Sequence, residues 1–192
     1  MYRLINFVER FMHYFIIIAL SLMFLAISYQ ANDIQKQLSQ QSNYLFDFFY
    51  TANNFVAFSI PIFAFVFFFI TTKIMLMIFD INMENGLLSK IIGNSFIGLF
   101  FSISFYAMNI YLYFDNIFVK TIKDVERIKF LFGLTFKSFE QINIFGWLCI
   151  YILMTYQIFK YTKINILKSI IIIATPSLTV YLIKHVFLNF LL

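Results

Sequence analysis

The chain has 192 residues, 62% of them hydrophobic and 12% charged, with a formal net charge of +5. That composition leaves too little polar surface for a water-soluble globule, and several nearly uncharged runs of about 18 residues or more match the hydrocarbon thickness of a bilayer. In such a chain a basic excess points to membrane-proximal loops and anionic lipid rather than to nucleic acid.

Five apolar runs predict five transmembrane helices, at 11–29, 55–79, 91–114, 142–159 and 170–190. They must be helical, since a lone strand would leave its backbone unpaired in lipid. The gaps between them are short, so residues 1–192 read as one all-α membrane domain, a polytopic helix bundle. The abundance of Phe, Ile, Asn, Lys and Tyr reads as an AT-rich coding bias and a bacterial source.

The first run follows Arg3 and Arg10 and contains Ala26 and Ser28, a pattern shared with signal peptides. Its apolar stretch is long for one, so it is expected to stay as a span. Those two arginines, with only Lys36 after the span, predict a cytoplasmic N-terminus and an extracytoplasmic C-terminus. His13 near its start is expected to sit at the headgroups.

The segment 30–54, rich in Gln and Asn, reads as a connector. The second span carries Pro61, a candidate kink, because proline removes a helix hydrogen bond. The next connector contains Asn85-Gly86, a turn signal. Asp80 and Glu84 in this connector could meet a cation or a basic partner.

In the third span Asn94, Gly98, Ser102, Tyr106 and Asn109 recur at three- and four-residue steps, forming one stripe on a helix. Gly98 and Ser102 make a small-xxx-small pair that permits close helix approach. The stripe reads as a packing seam, with a polar groove for a ligand as the functional alternative.

The connector that follows is the most charged. Phe118, Ile122, Val125, Ile128 and Phe132 alternate with Lys and Asp/Glu at helical spacing, predicting an amphipathic surface helix. In the fourth span Asn143, Trp147, Tyr151 and Thr155 form a second stripe, with Trp147 expected as an interfacial anchor. Cys149, the single cysteine, cannot form an internal disulfide and reads as a small apolar filler. The last span carries Pro176, a second candidate kink, and ends with Lys184 and His185. An ionisable pair inside a span is a candidate for function, and lysine can also snorkel to the headgroups.

No motif for a metal, a nucleotide or a nucleophilic triad is present, so the expectation is a non-enzymatic protein without cofactor. A small-solute or ion transporter component is the alternative from another class, and an intramembrane enzyme a third.

The stretch "FFFITTKIMLMIFDINMENGLLSKIIGNSFIGLFF" joins a second span to a third across a short polar turn. The stretch "FGWLCIYILMTYQIFKYTKINILKSIIIIATPSL" joins a fourth to a fifth through a short basic linker. In this hydropathy and spacing the region from Pro61 to Val186 resembles the Yip1 family of five-span membrane proteins. The eukaryotic branch carries a long soluble N-terminal region, which is not expected here because the first apolar run already starts near residue 11. The resemblance to bacterial members implies an inner-membrane accessory protein, partnered by ABC exporter subunits or protecting against a membrane-active peptide or bacteriocin. It implies the lipid bilayer as medium, leaves a homo-oligomer open, and carries over no catalytic residue.

Overall fold

The computed structural model describes residues 2–39, 44–113 and 129–191, and what it describes is helical, without strands. Six helices follow in order: α1 (Tyr2–Ser39), α2 (Tyr44–Ile78), α3 (Asn85–Ser95), α4 (Ile97–Tyr113), α5 (Phe136–Thr162) and α6 (Ile166–Leu191). A 3-10 turn, Leu131–Gly133, precedes α5. Four stretches are long and apolar enough to cross a membrane: Phe11–Asp33, Phe46–Ile78, Asn85–Leu112 and Lys137–Thr162. In α6, Ile166–Thr179 is a shorter apolar stretch.

The first two helices are longer than the apolar runs that announced them. α1 continues through Asn32 and Lys36, and α2 begins at Tyr44. The predicted connector 30–54 is therefore mostly helix. Its amides pair between the two helices, and that pairing outweighs their modest helix propensity. Residues 114–128, which carry most of the expected surface helix, lie outside the described residues. Phe130 and Phe132 are described and do not continue a helix. Phe130 is buried, whereas Phe132 is exposed with φ 61°.

α2 stops where Asp80 adopts a left-handed φ of 54°. Ile81 N–H reaches back to the Leu76 carbonyl at 2.8 Å and Asp80 N–H to the Met77 carbonyl at 3.1 Å. This is a Schellman ending with aspartate in the usual glycine position. Asn85-Gly86, expected as the turn, instead opens α3, and Gly86 has no positive φ. Lys73 closes the turn by donating to the Met83 carbonyl at 2.7 Å. At the start of α5, Thr135 and Ser138 exchange backbone and side-chain hydrogen bonds as a capping box.

The third span is broken. Phe96 sits between α3 and α4 with ψ near zero, and its N–H bonds to the Gly93 carbonyl three residues back. The rest packs as a closed ring: α1 on α2, α2 on α6, α6 on α5, α5 on α4, and α4 back on α1. α3 lies against α1, α2 and α5. The larger of two buried clusters among the described residues fills the ring, built from Leu20, Leu76, Leu88, Ile92, Phe96, Leu99, Ile150, Met154 and Ile172 among others, and the smaller joins Ile110, Phe130 and Phe139. Phe96 is wholly buried in the larger one and meets the edges of Phe68 and Trp147. Large apolar residues such as Phe55, Phe63, Ile70, Met77, Phe101 and Ile152 face outward, as a bilayer solvent requires.

Candidate functional site: polar seams and a mid-bundle pocket

The densest polar cluster joins α1 to α2. Ser28 and Asn32 are one helical turn apart on α1; Tyr50, Asn53 and Asn54 share a face of α2. Asn54 Oδ1 accepts from Ser28 Oγ at 2.8 Å and from Asn32 Nδ2 at 2.7 Å. Asn32 Nδ2 also donates to the Tyr50 carbonyl at 3.2 Å. Asn53 Nδ2 donates to Ser28 Oγ at 3.2 Å and to Asn32 Oδ1 at 3.1 Å. Asn32 and Ser28 are buried, so these bonds replace water that the site cannot admit. One turn further out, Lys36 Nζ lies 3.1 Å from Asp47 and 5.1 Å from the Tyr50 ring centre. The Lys36 ammonium is held above the ordinary lysine range, chiefly by its hydrogen bond to Asp47, against slight desolvation, with the charges of Asp47 and Asp33 adding.

From the sequence, Ser28 stands out only for a signal-peptide-like pattern and Lys36 only for orientation, and the pairing of these residues is not expected. The signal was present in Ser28, Asn32 and Lys36 at four-residue steps, and in Asp47, Tyr50 and Asn54 at steps of three and four.

The stripe of the third span divides by depth. Gly98 lies on α5: a Cβ built there would stand 2.5 Å from Cys149 Cβ. Ser102 faces Gly146, where a Cβ would stand 2.5 Å from Ser102 Oγ and 3.2 Å from Leu99 Cα. α4 and α5 thus touch almost backbone to backbone, with Cys149 as part of the seam. Tyr106 packs against Phe139 at a tilt of 44°, with ring centres 4.9 Å apart. Asn109 is fully buried and donates to the Phe105 carbonyl at 2.8 Å. Asn94 is half-buried at the end of α3. In α5, Asn143 Oδ1 is buried without a hydrogen-bond partner among the described residues.

His13 is not at the surface. It is 5% exposed, its ring centre lies 4.0 Å from that of Tyr14, and its backbone abuts Gly93. Its Nδ1 finds no partner among the described residues. Ser89 Oγ donates to Tyr14 Oη at 3.1 Å beside it.

Trp147 corrects another expectation. It sits 15 residues before the end of α5 at Thr162, about 22 Å along the axis, and it packs on Phe96 in the core rather than in an interfacial belt. With Phe63, Ala64, Phe67, Phe68, Tyr151 and Ser177 it lines a pocket of about 410 Å³ between α2, α5 and α6. Tyr151 Oη donates to Ser177 Oγ at 2.8 Å at its edge. Pro176 lies beside Ser177, so α6 meets the pocket at the turn where its own ladder is interrupted. Pro61 is buried inside α2, two residues before Phe63. α6 also carries Lys184 and His185, whose side chains lie outside the described residues. Asp80 and Glu84 end up in different local structures, a helix C-cap and a helix N-cap. Both are exposed and make no ion pair among the described residues.

The chain matches no protein-family model, and neither a curated relative nor a solved structure resembles it significantly.

Proposed function

We propose that this chain is a five-span, non-enzymatic protein of a bacterial cell membrane that works by contact with other membrane components. Its role is that of an accessory to an ABC exporter or of an immunity factor against a membrane-active peptide. One observation carries this reading. Most of the polar side chains described inside the bundle bond to one another or to their own helix backbone, as in the Ser28–Asn32–Asn53–Asn54 network, the Tyr151–Ser177 bond and the Asn109–Phe105 carbonyl bond, with His13 Nδ1, Ser21 Oγ and Asn143 Oδ1 as exceptions, while the outer surface is largely apolar. Chemistry or solute passage would need such groups aimed at a substrate.

The fifth crossing is α6, whose 26 residues are about 39 Å long. The N-terminus is cytoplasmic. Supporting this, Arg3 and Arg10 precede the first span, and Lys90, Lys160, Lys163 and Lys168 are exposed at the same end of the bundle. The hydropathy and spacing of 61–186 support the likeness to bacterial Yip1-type accessory proteins.

The test is a deletion strain challenged with membrane-active peptides. Loss of the chain is expected to lower the killing concentration severalfold with solute flux unchanged, and the tagged protein to co-purify with an exporter's ATPase. Equal killing curves together with solitary purification overturn the reading. The pocket beside Pro176 favours a second one, a transporter component. That alternative predicts flux in proteoliposomes that Tyr151→Phe, Asn109→Ala or Lys184→Ala reduces.

A further inference from the structure

The end of the α1/α2 pair at which α2 begins carries an exposed aromatic cluster. Tyr44, Phe46, Phe48 and Phe49 crowd two turns of α2, and Tyr44 is 94% exposed, Phe48 69% and Phe49 60%. Phe48 and Phe49 meet edge to face with ring centres 6.0 Å apart. Water would leave these rings at a cost of about 25 cal/mol per Å² of apolar surface.

Two polar markers on α2 bracket a length of helix that matches a hydrocarbon layer. At one end Asn53 and Asn54 are held in the amide network. At the other, Lys73 reaches the Met83 carbonyl in the α2–α3 turn. Residues 53 and 73 are 20 apart in one helix, which is about 30 Å at 1.5 Å per residue, the thickness of the hydrocarbon layer. Phe48 and Phe49 stand four to five residues beyond Asn53, about 6–8 Å further out. That is the depth of the headgroup layer, where aromatic rings are enriched.

Exposed apolar residues also recur along the length of α2, interrupted at the exposed Thr51 and Asn53 beside the amide network. Phe48, Phe49, Phe55, Val56, Phe63, Val66, Ile70, Ile74 and Met77 are all exposed. From residue 48 to 77 they span 29 residues, about 44 Å, against about 40–45 Å for a bilayer with its headgroups.

We propose that the Tyr44–Phe49 end of the α1/α2 pair docks into the lipid headgroup interface of the leaflet opposite the α2–α3 turn. There it is a fixed aromatic anchor, and the pairing of Asn53 and Asn54 with α1 holds it at that depth. The occupant is the interfacial layer of the bilayer itself, since the cluster lies on the same helix as the lipid-facing residues, just beyond the polar Asn53–Asn54 step, and the length from 48 to 77 matches a bilayer with its headgroups.

The test uses the full chain in phosphatidylcholine/phosphatidylglycerol vesicles, with Trp147→Phe to silence the native indole. Phe48→Trp, Phe49→Trp and, as a deep reference, Phe63→Trp supply single reporters. Lipids carrying a nitroxide near the headgroup are compared with lipids carrying it near the chain end. The shallow label is expected to quench the reporters at 48 and 49 about twofold more than the deep label, and the order to reverse at 63. Two results overturn the proposal. One is quenching at 48 and 49 by aqueous iodide but by neither lipid label, which places the tip in water. The other is protection from all three, which places it under protein. If Trp147→Phe weakens folding, nitroxide side chains at positions 48 and 49 in a Cys149→Ala protein give the same depth from oxygen and nickel-complex collision rates.

Discussion

Asn54 receives two hydrogen bonds on a single oxygen, so it is the residue on which the α1/α2 network turns. Asn54→Leu leaves the Ser28 hydroxyl and one Asn32 donor without that acceptor. Interhelical bonds in membranes average about 0.6 kcal/mol and reach about 1.7, so a loss of about 1–2 kcal/mol is expected. Thermal unfolding in detergent measures it, with Asn53→Leu costing less because Asn53 is exposed. At Lys36 the sign of the pH effect follows from its raised pKa. The Lys36–Asp47 contribution is fully present below the ordinary lysine value and is lost as pH rises through the raised one. A spin label at Tyr44 should gain mobility only in that alkaline window, and Asp47→Asn should abolish the change. The glycines of the α4/α5 seam respond to volume. Gly98→Ala puts a methyl where Cys149 Cβ already stands, an overpacking cost of about 1–3 kcal/mol. Adding Cys149→Gly removes the opposing carbon and should restore most of the loss in the same assay.

At the scale of the elements, the apolar runs located every long helix, because hydropathy over some twenty residues is a strong signal. They misplaced the ends, because polarity marks where lipid stops and not where a helix stops. The stretch around Asn32 and Asn53 read as a loop for that reason. Its four-residue spacing was the only clue, and a four-residue period has little weight without a partner helix in view. Gly98 and Ser102 were legible as a close-packing pair by type and spacing. Their opposites, Gly146 and Cys149, were not, since the register between helices far apart in sequence leaves no local trace. Trp147 misled because tryptophan is commonest at interfaces, whereas Phe96 and Phe68 give this one a ring-lined niche. The α2–α3 turn offers a test at this scale. Lys73→Met removes the donor that holds the Met83 carbonyl. Amide exchange across Phe79–Glu84 should accelerate while the centre of α2 remains protected.

For the whole molecule, orientation is the claim that organises the rest. A reporter fused after Leu192 is expected to lie outside the cytoplasm, and one fused in the Asp80–Glu84 turn inside it. Cytoplasmic activity from both would mean that α6 does not cross. The two ends differ in chemistry. One end shows the exposed lysines at 90, 160, 163 and 168 with the exposed Asp80 and Glu84, four cations against two carboxylates, and the other shows Asp33, Asp47 and Glu140 beside Lys36, Lys129 and Lys137, three against three. This difference in charge fits the two faces to different surroundings.

The ring of helices also dictates an order of events during synthesis. α1 and α2 can pair as soon as both have left the ribosome, and α3, α4 and α5 extend the row. Only when α6 emerges can the row close, by returning to α2. Until then the flank of α2 around Phe67 and Phe68 and the flank of α5 around Tyr151 remain open to lipid or to insertion chaperones. A chain truncated before α6 should therefore be held by the insertion machinery or degraded, whereas one that includes α6 should be released from it. The pocket beside Pro176 is where that last joint is made.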